Sequence, residues 1–347
     1  MSGVIDPVAL SELSNAAHID GHVDAHARLE NVQRWLREDL AEVEASLDRA
    51  VSTWPSPTDA AARHLTAAGG KRVRPAAALL SARAIGNAGR SEARTVALTA
   101  ELVHSATLLH DDVMDEGDLR RGVPTARTVH GNLVSVLAGD FLLVSALRAG
   151  SELGHPRVFT DLVNTLEALV RGEVLQVKGK RELIIDRNHH LEVMRCKTAS
   201  LFGWCCRAGA RVAGGSELLA TALGEFGERI GVAFQLLDDV LDVVGEHEKT
   251  GKGAWSDLRE GKATWPVIVA VEAGAVSTST VAAASQGDVD AVATLARAIE
   301  GCGAVAATRN RATEETTAAM EALSCVPASA ARETLVTLAC ALVGRDH

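Results

Sequence analysis

Several residue types are scarce in this 347-residue chain, and each scarcity narrows its fold class. Tyrosine is absent and aromatic residues make up 3% of the sequence, so a core of alternating β-branched and aromatic strand residues has little material. Of the 8 prolines, none lies between Pro156 and Pro266, where Ala, Leu, Val, Glu and Arg dominate. Such a long stretch of helix-forming residues predicts an all-α fold.

Excess positive charge is also missing, since the formal net charge is −10. Nucleic-acid binders hold phosphate backbones with surplus Lys and Arg, so the composition argues against that class. Any phosphate bound by this protein must be held by a local group of cations or through metal ions.

Cysteine pairs with redox or zinc spacing are absent as well. The six cysteines contain no C-x-x-C pair, which predicts reduced thiols in a cytoplasmic protein. No Lys or Arg precedes Arg28, so neither a secretory nor a transit peptide is predicted. Apolar runs are interrupted, for example by Asp140 and Glu272, before the ~20 residues of a membrane span, so no stable membrane insertion is predicted.

Helical periodicity organises most of the chain. Apolar residues recur every three to four positions from Val32 to Leu47, which predicts an amphipathic helix over about 28–51. Residues 1–25 are weakly patterned and are predicted to be a flexible arm, followed by one domain over 26–347. Further helices are predicted at about 75–86, 91–115, 125–150, 156–178, 189–213, 216–244 and 263–274, with shorter Ala-rich helices after 288.

Two acidic clusters of the form D-D-x-x-D stand out within these helices. "LLHDDVMD" carries Asp111, Asp112 and Asp115, and "LLDDVLD" carries Asp238, Asp239 and Asp242. Positions i and i+4 share a helical face, so each cluster presents two carboxylates in one direction. One such cluster is usually a solvated face. Two clusters, each following Leu-Leu, indicate bound cations, because buried unpaired carboxylates are costly and Mg²⁺ prefers oxygen ligands.

Basic residues recur near these acids. "GGKRVRP" places Lys71, Arg72 and Arg74 between a glycine helix stop and Pro75, a pattern typical of an anion site or of a basic helix end. His104 lies two helical turns before Asp111 on the same face. The remaining candidates, each more often a surface residue when taken alone, are Arg120, Arg121, Lys197, Thr198, Lys252 and Lys262. Together these residues predict a cavity with acids on two walls and cations at its rim, suited to two polyanions.

At this point the motifs resemble a known family. "GGKRVRP", "VHSATLLHDDVMDEGDLRRGVPTA", "LAGDFLL", "GEVLQ", "KTASLF", "FQLLDDVLDVVG" and "GKGAWSDLREGKATWPVI" are similar, in this order, to the bacterial type of trans-isoprenyl diphosphate synthase. The resemblance covers about residues 60–270. It implies an isoprenoid synthase-type helical bundle around a deep central cavity, and a homodimer.

The resemblance also implies a reaction and roles for the matched residues. An allylic prenyl diphosphate would be extended head to tail by isopentenyl diphosphate, with Mg²⁺, expected as three ions, and with the departing pyrophosphate taking the proton. The six aspartates would bind the metal, and Asp111, Asp115, Lys197, Asp238 and Lys252 would be catalytic. The allylic diphosphate would contact Arg120, Lys197, Thr198, Gln235, Lys252 and Lys262, and isopentenyl diphosphate would contact Lys71, Arg74, His104 and Arg121.

Product length is predicted from the residues before the first acidic cluster. Short-chain relatives carry bulky aromatic residues four and five positions before the first aspartate, where this chain has Thr107 and Ala106. Each helical turn rises ~5.4 Å, about one isoprene unit, so small residues favour a product of thirty or more carbons. The floor of the cavity could instead be set by a neighbouring helix, around Val136, Phe141 or Leu142.

Other activities fit the sequence less well. A geranylgeranyl or farnesyl diphosphate synthase remains the short-chain alternative. A terpene cyclase would carry N-x-x-x-S/T-x-x-x-E in place of Asp238–Asp242, and head-to-head synthases are disfavoured on similar grounds. A non-catalytic subunit would usually lack the acidic clusters, and this chain has both.

Overall fold

The computed structural model describes residues 21–86, 88–245 and 255–344, and this part of the chain is almost entirely helical. The predicted arm therefore lies outside the described residues up to position 20, whereas 21–25 form the start of the first helix. The helices are α1 (Gly21–Trp35), α2 (Arg37–Ser52), α3 (Thr58–Ala67), α4 (Val73–Ile85), α5 (Arg90–Met114), α6 (Ala126–His130), α7 (Asn132–Glu152), α8 (Pro156–Glu182), α9 (Arg187–Met194), α10 (Ser200–Val212), α11 (Glu217–Val244), α12 (Ser256–Arg259), α13 (Trp265–Glu272), α14 (Thr278–Ser285), α15 (Val289–Gly301), α16 (Ala304–Ala322) and α17 (Ala330–Val343).

Three short elements interrupt this series. Strands β1 (Leu119–Arg120) and β2 (Val123–Pro124) form an antiparallel hairpin in which Arg120 lies opposite Val123. A π-helical turn, Arg195–Ala199, joins α9 to α10, and a 3₁₀ turn, Leu323–Cys325, follows α16. The all-α prediction is confirmed for the described residues, with this hairpin as the one sheet among them.

Several predicted helices are divided in the structure. The segment predicted over 28–51 begins at Gly21 and is divided at Leu36 into α1 and α2. The segment predicted over 125–150 breaks at Gly131, whose φ of 85° belongs to the left-handed region that glycine tolerates. The segment predicted over 189–213 contains the π-helical turn. The predicted 91–115 and 216–244 agree closely with α5 and α11.

The main core is formed by aliphatic and aromatic side chains that most of the bundle helices contribute. Fully buried side chains in it include Leu80, Leu109, Phe141 and Trp204. Helices α12, α13, α14, α15 and α16 form a second apolar cluster around Leu258. Side chains that follow the end of α8 also pack in this cluster. Helices α5, α7, α10 and α11 pack side by side. Their polar residues are therefore held at fixed positions along the axis of the bundle.

One described helix, α7, is long and apolar enough to cross a membrane by length and composition alone. A second candidate arises only if the bent pair α15 and α16 is taken as one span. The sequence predicted no segment of this kind, because Asp140 was expected to interrupt it. In the bundle α7 packs on α5, where the Ser135 hydroxyl donates to the Leu109 carbonyl at 3.2 Å. This contact attaches one face of α7 to the bundle.

Candidate active site

The first acidic cluster lies at the C-terminal end of α5. Asp111 and Asp112 belong to the last turn, and Asp115 caps it by donating its backbone N–H to the Asp111 carbonyl at 2.8 Å. Burial raises the pKa of the Asp111 carboxyl, and nearby Asp115 adds to the rise against the opposing charge of Lys197. A carboxylate in this environment favours the approach of further cations.

Asp112 points away from Asp111 and is paired within the protein. It is 4% exposed and accepts hydrogen bonds from Arg120 Nε at 2.9 Å and Nη2 at 2.7 Å. Arg120 lies on β1, so this bidentate pair fastens the hairpin to the end of α5. Asp112 was predicted as a metal ligand and Arg120 as a diphosphate ligand. In the structure these two residues are hydrogen-bonded to each other.

The second acidic cluster lies near the end of α11, and its adjacent aspartates also differ. Asp239 is 2% exposed, and its Oδ2 accepts from His190 Nε2 at 2.6 Å and from the Trp265 backbone N–H at 2.9 Å. Asp238 lies on another side of the helix, where it interacts electrostatically with Arg74. Asp239 therefore connects α11 to α9 and α13, whereas the sequence predicted that it binds a metal ion.

Asp242 is bound on one oxygen only. Its Oδ1 accepts from the Ser256 hydroxyl at 2.8 Å and from the Asp257 N–H at 3.2 Å. Its Oδ2 is buried without a hydrogen-bond partner, and burial raises the pKa of this carboxyl. A buried carboxylate oxygen without a partner is costly, so this atom fits a site that receives a cation.

The π-helical turn connects the two acidic helices. Lys197 Nζ lies 3.7 Å from Asp111 Oδ2, and the neighbouring Thr198 hydroxyl donates to Gln235 Oε1 on α11 at 3.1 Å. Lys197 and Thr198 thus reach the first and second clusters respectively. The structure brings together these predicted residues, which are far apart in the sequence.

Two side chains at this site were not predicted as functional residues. Glu173 on α8 lies 2.7 Å from Lys197 Nζ, and burial together with nearby Asp111 raises the pKa of the Glu173 carboxyl. The motif "GEVLQ" contained it and was the available signal. Lys180, two turns further along α8, lies 2.6 Å from Asp115 Oδ1, and no motif indicated it.

The predicted isopentenyl diphosphate residues form a positively charged group between the start of α4 and α5. Burial lowers the pKa of the Arg74 guanidinium, whose Nε is buried without a hydrogen-bond partner, and this group lies 4.8 Å from the Phe202 ring centroid. Burial and the charges of Arg74 and Arg121 lower the pKa of His104 well below its ordinary value. Lys71 is exposed at the rim. Arg72, by contrast, pairs with Glu44 and Glu101.

The remaining predicted residues follow the second cluster. Lys262 lies 3.2 Å from Glu260 and 3.4 Å from Asp257, and although burial opposes it, these acids and Asp115 raise its pKa. Lys262 therefore carries its charge close to the first acidic cluster as well. Lys252 lies outside the described residues.

The predicted chain-length positions lie below Asp111 on α5. Ala106 is 2% exposed, and the Thr107 hydroxyl donates to the His104 carbonyl at 2.8 Å. On neighbouring α7, Phe141 is buried and stacks on Trp54 with ring centroids 4.1 Å apart. Neither position on α5 carries an aromatic side chain.

Among the described residues, no three His, Cys, Asp or Glu side chains converge into a ready-made metal site. Mg²⁺ binds through one or two carboxylates and completes its coordination with water and substrate phosphate. The residues present fit such an ion, because Asp111 and Asp242 are half-buried acids with raised pKa values and Asp242 keeps one oxygen without a hydrogen-bond partner.

Comparison with known proteins agrees with this geometry. The family model described as polyprenyl synthetase matches residues 56–300. The chain belongs to the polyprenyl synthetase family. Component 2 of the heptaprenyl diphosphate synthase of Geobacillus stearothermophilus is 37% identical to it over 92% of this chain and 100% of the relative. The octaprenyl diphosphate synthase of Escherichia coli K12 is 35% identical over 92% of this chain and 99% of the relative.

Solved structures of this family share the fold. A polyprenyl synthase from Caulobacter crescentus, complexed with calcium and isoprenyl diphosphate, superposes with a TM-score of 0.84 at 35% identity, covering 91% of this chain and 98% of that one. The predicted family, the isoprenoid synthase-type helical bundle and the enzyme class are confirmed: the chain is a trans-prenyltransferase.

Proposed function

We propose that this polyprenyl synthetase catalyses the Mg²⁺-dependent, head-to-tail addition of isopentenyl diphosphate to an allylic prenyl diphosphate. The observation that carries the proposal is the pair of contacts from Lys197 to Asp111 and from Thr198 to Gln235. These contacts bring the two acidic helices and a cation to one place. A diphosphate there meets both metal-binding acids and fixed positive charge.

The metal ions are assigned to Asp111, Asp115, Asp238 and Asp242. Asp112 and Asp239 are assigned to positioning the acidic helices, because each is almost fully buried and hydrogen-bonded within the protein, Asp112 to Arg120 and Asp239 to His190. Bound magnesium supplies positive charge to the leaving diphosphate, and three ions are expected with substrate present. The calcium and isoprenyl diphosphate named for the Caulobacter crescentus structure support this assignment.

The allylic diphosphate is assigned to Lys197, Thr198, Gln235, Lys252 and Lys262. Lys197 presents its ammonium beside Asp111, and Thr198 and Gln235 supply hydrogen-bonding groups on the opposite helix. Arg120 joins this set when it exchanges part of its pairing with Asp112 for phosphate oxygens. These groups hold the leaving oxygens where negative charge develops as the allylic C–O bond breaks.

Isopentenyl diphosphate is assigned to Lys71, Arg74, His104 and Arg121. Burial lowers the pKa of Arg74 and of Arg121, and the charges of Arg120 and Arg72 lower that of Arg121 further, so a bound polyanion stabilises this group. The double bond of the bound molecule attacks the allylic cation, and the proton released from the new product passes to the departing pyrophosphate. Exclusion of water by apolar walls protects the cation between these steps.

A long-chain product is favoured over a twenty-carbon one. Ala106 and Thr107 place no bulky aromatic ring below Asp111, and the heptaprenyl and octaprenyl synthase relatives support the same conclusion. The floor of the cavity is then set further down the bundle or by α7.

The protein is further proposed to be a single-domain, cytoplasmic homodimer without stable membrane insertion. No disulfide joins any of the six cysteines, which suits a reducing compartment. Exposed valines at Val163, Val170, Val174 and Val177 recur along one face of α8, as expected of a helix that is covered by a second copy.

Purified protein incubated with isopentenyl and farnesyl diphosphates and Mg²⁺ tests the proposal. We expect products of thirty or more carbons by mass spectrometry, and their loss when Mg²⁺ is chelated. Asp111→Ala should abolish turnover and leave the helical circular dichroism unchanged. Retained turnover in this variant would contradict the metal assignment, and a twenty-carbon limit product would contradict the length.

A further inference from the structure

Lys180 lies in the last turn of α8, outside every motif that the family resemblance uses. Its side chain is 19% exposed, and Nζ donates to Asp115 Oδ1 at 2.6 Å and to Glu260 Oε2 at 3.2 Å. A single ammonium therefore joins the first acidic cluster to the segment that follows the second one.

Glu260 extends this contact to a predicted substrate ligand. The same oxygen, Oε2, also receives Lys262 Nζ at 3.2 Å, and Lys262 contacts Asp257 at 3.4 Å. The Asp257 N–H in turn binds Asp242 at 3.2 Å. Charges of alternating sign thus run from Asp115 through Lys180, Glu260 and Lys262 to Asp257, whose backbone N–H reaches the second cluster.

Backbone packing presses the same segment onto the end of α8. Gly261 has a φ of 85°, and a Cβ built on it would lie 2.7 Å from the Lys180 carbonyl oxygen. Leu183, just past α8, packs in the apolar cluster that contains Trp255 and Leu258. Gly261 and the apolar contacts of Leu183 therefore keep segment 255–262 close to the end of α8, independently of the charges.

We propose that Lys180 is a positioning residue, which holds segment 255–262 and its Lys262 against the first acidic cluster and so sets the spacing of the allylic diphosphate ligands. This inference rests on the proposed assignment of the allylic site. Without the Lys180 charge, the hydrogen-bonded link between Asp115 and Glu260 is lost. Glu260 keeps its contact with Lys262, but the repulsion between Asp115 and Glu260 is less well neutralised, so the segment would move away from the first acidic cluster.

The test measures KM for each substrate separately in Lys180→Met, which keeps the length of the side chain and removes its charge. We expect KM for the allylic diphosphate to rise about tenfold, as for loss of a charged contact, while KM for isopentenyl diphosphate stays within about twofold. Lys178→Met, an exposed lysine two residues away, is the matched control and should match the wild type. Unchanged allylic KM in Lys180→Met, or equal rises for both substrates, would overturn the proposal.

A second pair of variants separates positioning from direct contact with substrate. Glu260→Gln should also raise the allylic KM, and the double variant should be no worse than Lys180→Met alone, because both changes break one linkage. Multiplying effects, or a normal KM in Glu260→Gln, would overturn the proposal. Should Lys180→Met fail to fold, Lys180→Arg, which keeps the charge, should retain the allylic KM within about threefold, and a larger rise counts against positioning.

These outcomes are distinct from failure of the proposed function. If the wild-type protein does not condense the two substrates, the function fails. If the wild type is active and Lys180→Met leaves the ratio of the two KM values unchanged, only the inference about Lys180 fails.

Discussion

The ring of His104 lies close to four arginines, Arg72, Arg74, Arg120 and Arg121. Burial is the largest cause of its lowered pKa, and the positive charges add to it. The ring is therefore neutral at neutral pH in the folded protein without substrate. It can accept a proton more readily once a diphosphate neutralises these arginines.

This environment predicts a pH dependence of stability. The folded state resists protonation of His104, whereas the unfolded chain takes up that proton as the pH falls below about 6.5, so stability is lost with falling pH. The loss from this one group is at most about 1.4 kcal/mol per pH unit. Urea unfolding between pH 7.5 and 5.5 should show a shallower decline in His104→Gln than in the wild type. Parallel curves would contradict the buried neutral state.

Ala106 offers a second prediction at the scale of one side chain. Ala106→Phe places a ring where the wild type is small and buried, about 1.4 helical turns below Asp111. We expect a shorter product, because the ring blocks growth of the prenyl chain past this level. Product mass is the measurement, and the melting temperature is the control for disruption of the core. An unchanged product distribution at normal stability would place the floor elsewhere, with Phe141 the next candidate.

At the scale of elements, two glycines determine where the π-helical turn lies. A Cβ on Gly172 of α8 would lie 2.9 Å from the Lys197 backbone nitrogen, and one on Gly231 of α11 would lie 2.6 Å from Ala199 Cα. The turn that carries Lys197 and Thr198 is thus held between two helix backbones. Few other residues would permit this approach.

Gly172→Ala should therefore displace Lys197 from Asp111 and Glu173. A misplacement of about 1 Å at catalytic groups costs up to about a hundredfold in rate, so we expect kcat/KM to fall by about ten- to a hundredfold. Steady-state kinetics measures this, with Gly301→Ala as the control, since a Cβ there meets nothing within 4 Å. Wild-type kinetics in Gly172→Ala would show that the turn tolerates movement.

Periodicity predicted the long helices well but not their interruptions. α5 and α11 carry continuous apolar stripes, so both ends were predicted within a few residues. The break at Gly131 and the π-helical turn depend on backbone torsion angles and on packing against other helices. A stripe of apolar residues continues through both and does not indicate them.

For the whole molecule, the sequence predicted a site between the two acidic clusters but did not predict the orientation of the individual acids. Adjacent residues on a helix point about 100° apart, so only one of Asp238 and Asp239 can face a given partner. The pattern D-D-x-x-D does not say which, and Asp239 proves to face His190 and Trp265. The contact of Lys180 with Asp115 was likewise unpredictable, because it joins positions 65 apart.

Assembly is the remaining property at this scale, and the exposed valines of α8 make it testable. Val170 and Val174 are 65% and 64% exposed in the single chain and lie one turn apart on one face. In a twofold interface each substitution occurs twice, so Val170→Glu with Val174→Glu would bury four carboxylates. Each costs at least about 1 kcal/mol, and dimerisation should weaken more than a hundredfold.

Light scattering after size exclusion measures the outcome. We expect the wild type to elute with the mass of two chains, and the double variant with the mass of one at micromolar concentration. Val289→Glu is the matched control, because Val289 on α15 is 80% exposed and lies far along the chain from this face. We expect the control to remain a dimer. Added negative charge alone would then not explain the dissociation of the double variant. A double variant that keeps the wild-type mass would show that the valine face of α8 is not the interface, and the second copy would have to contact another surface.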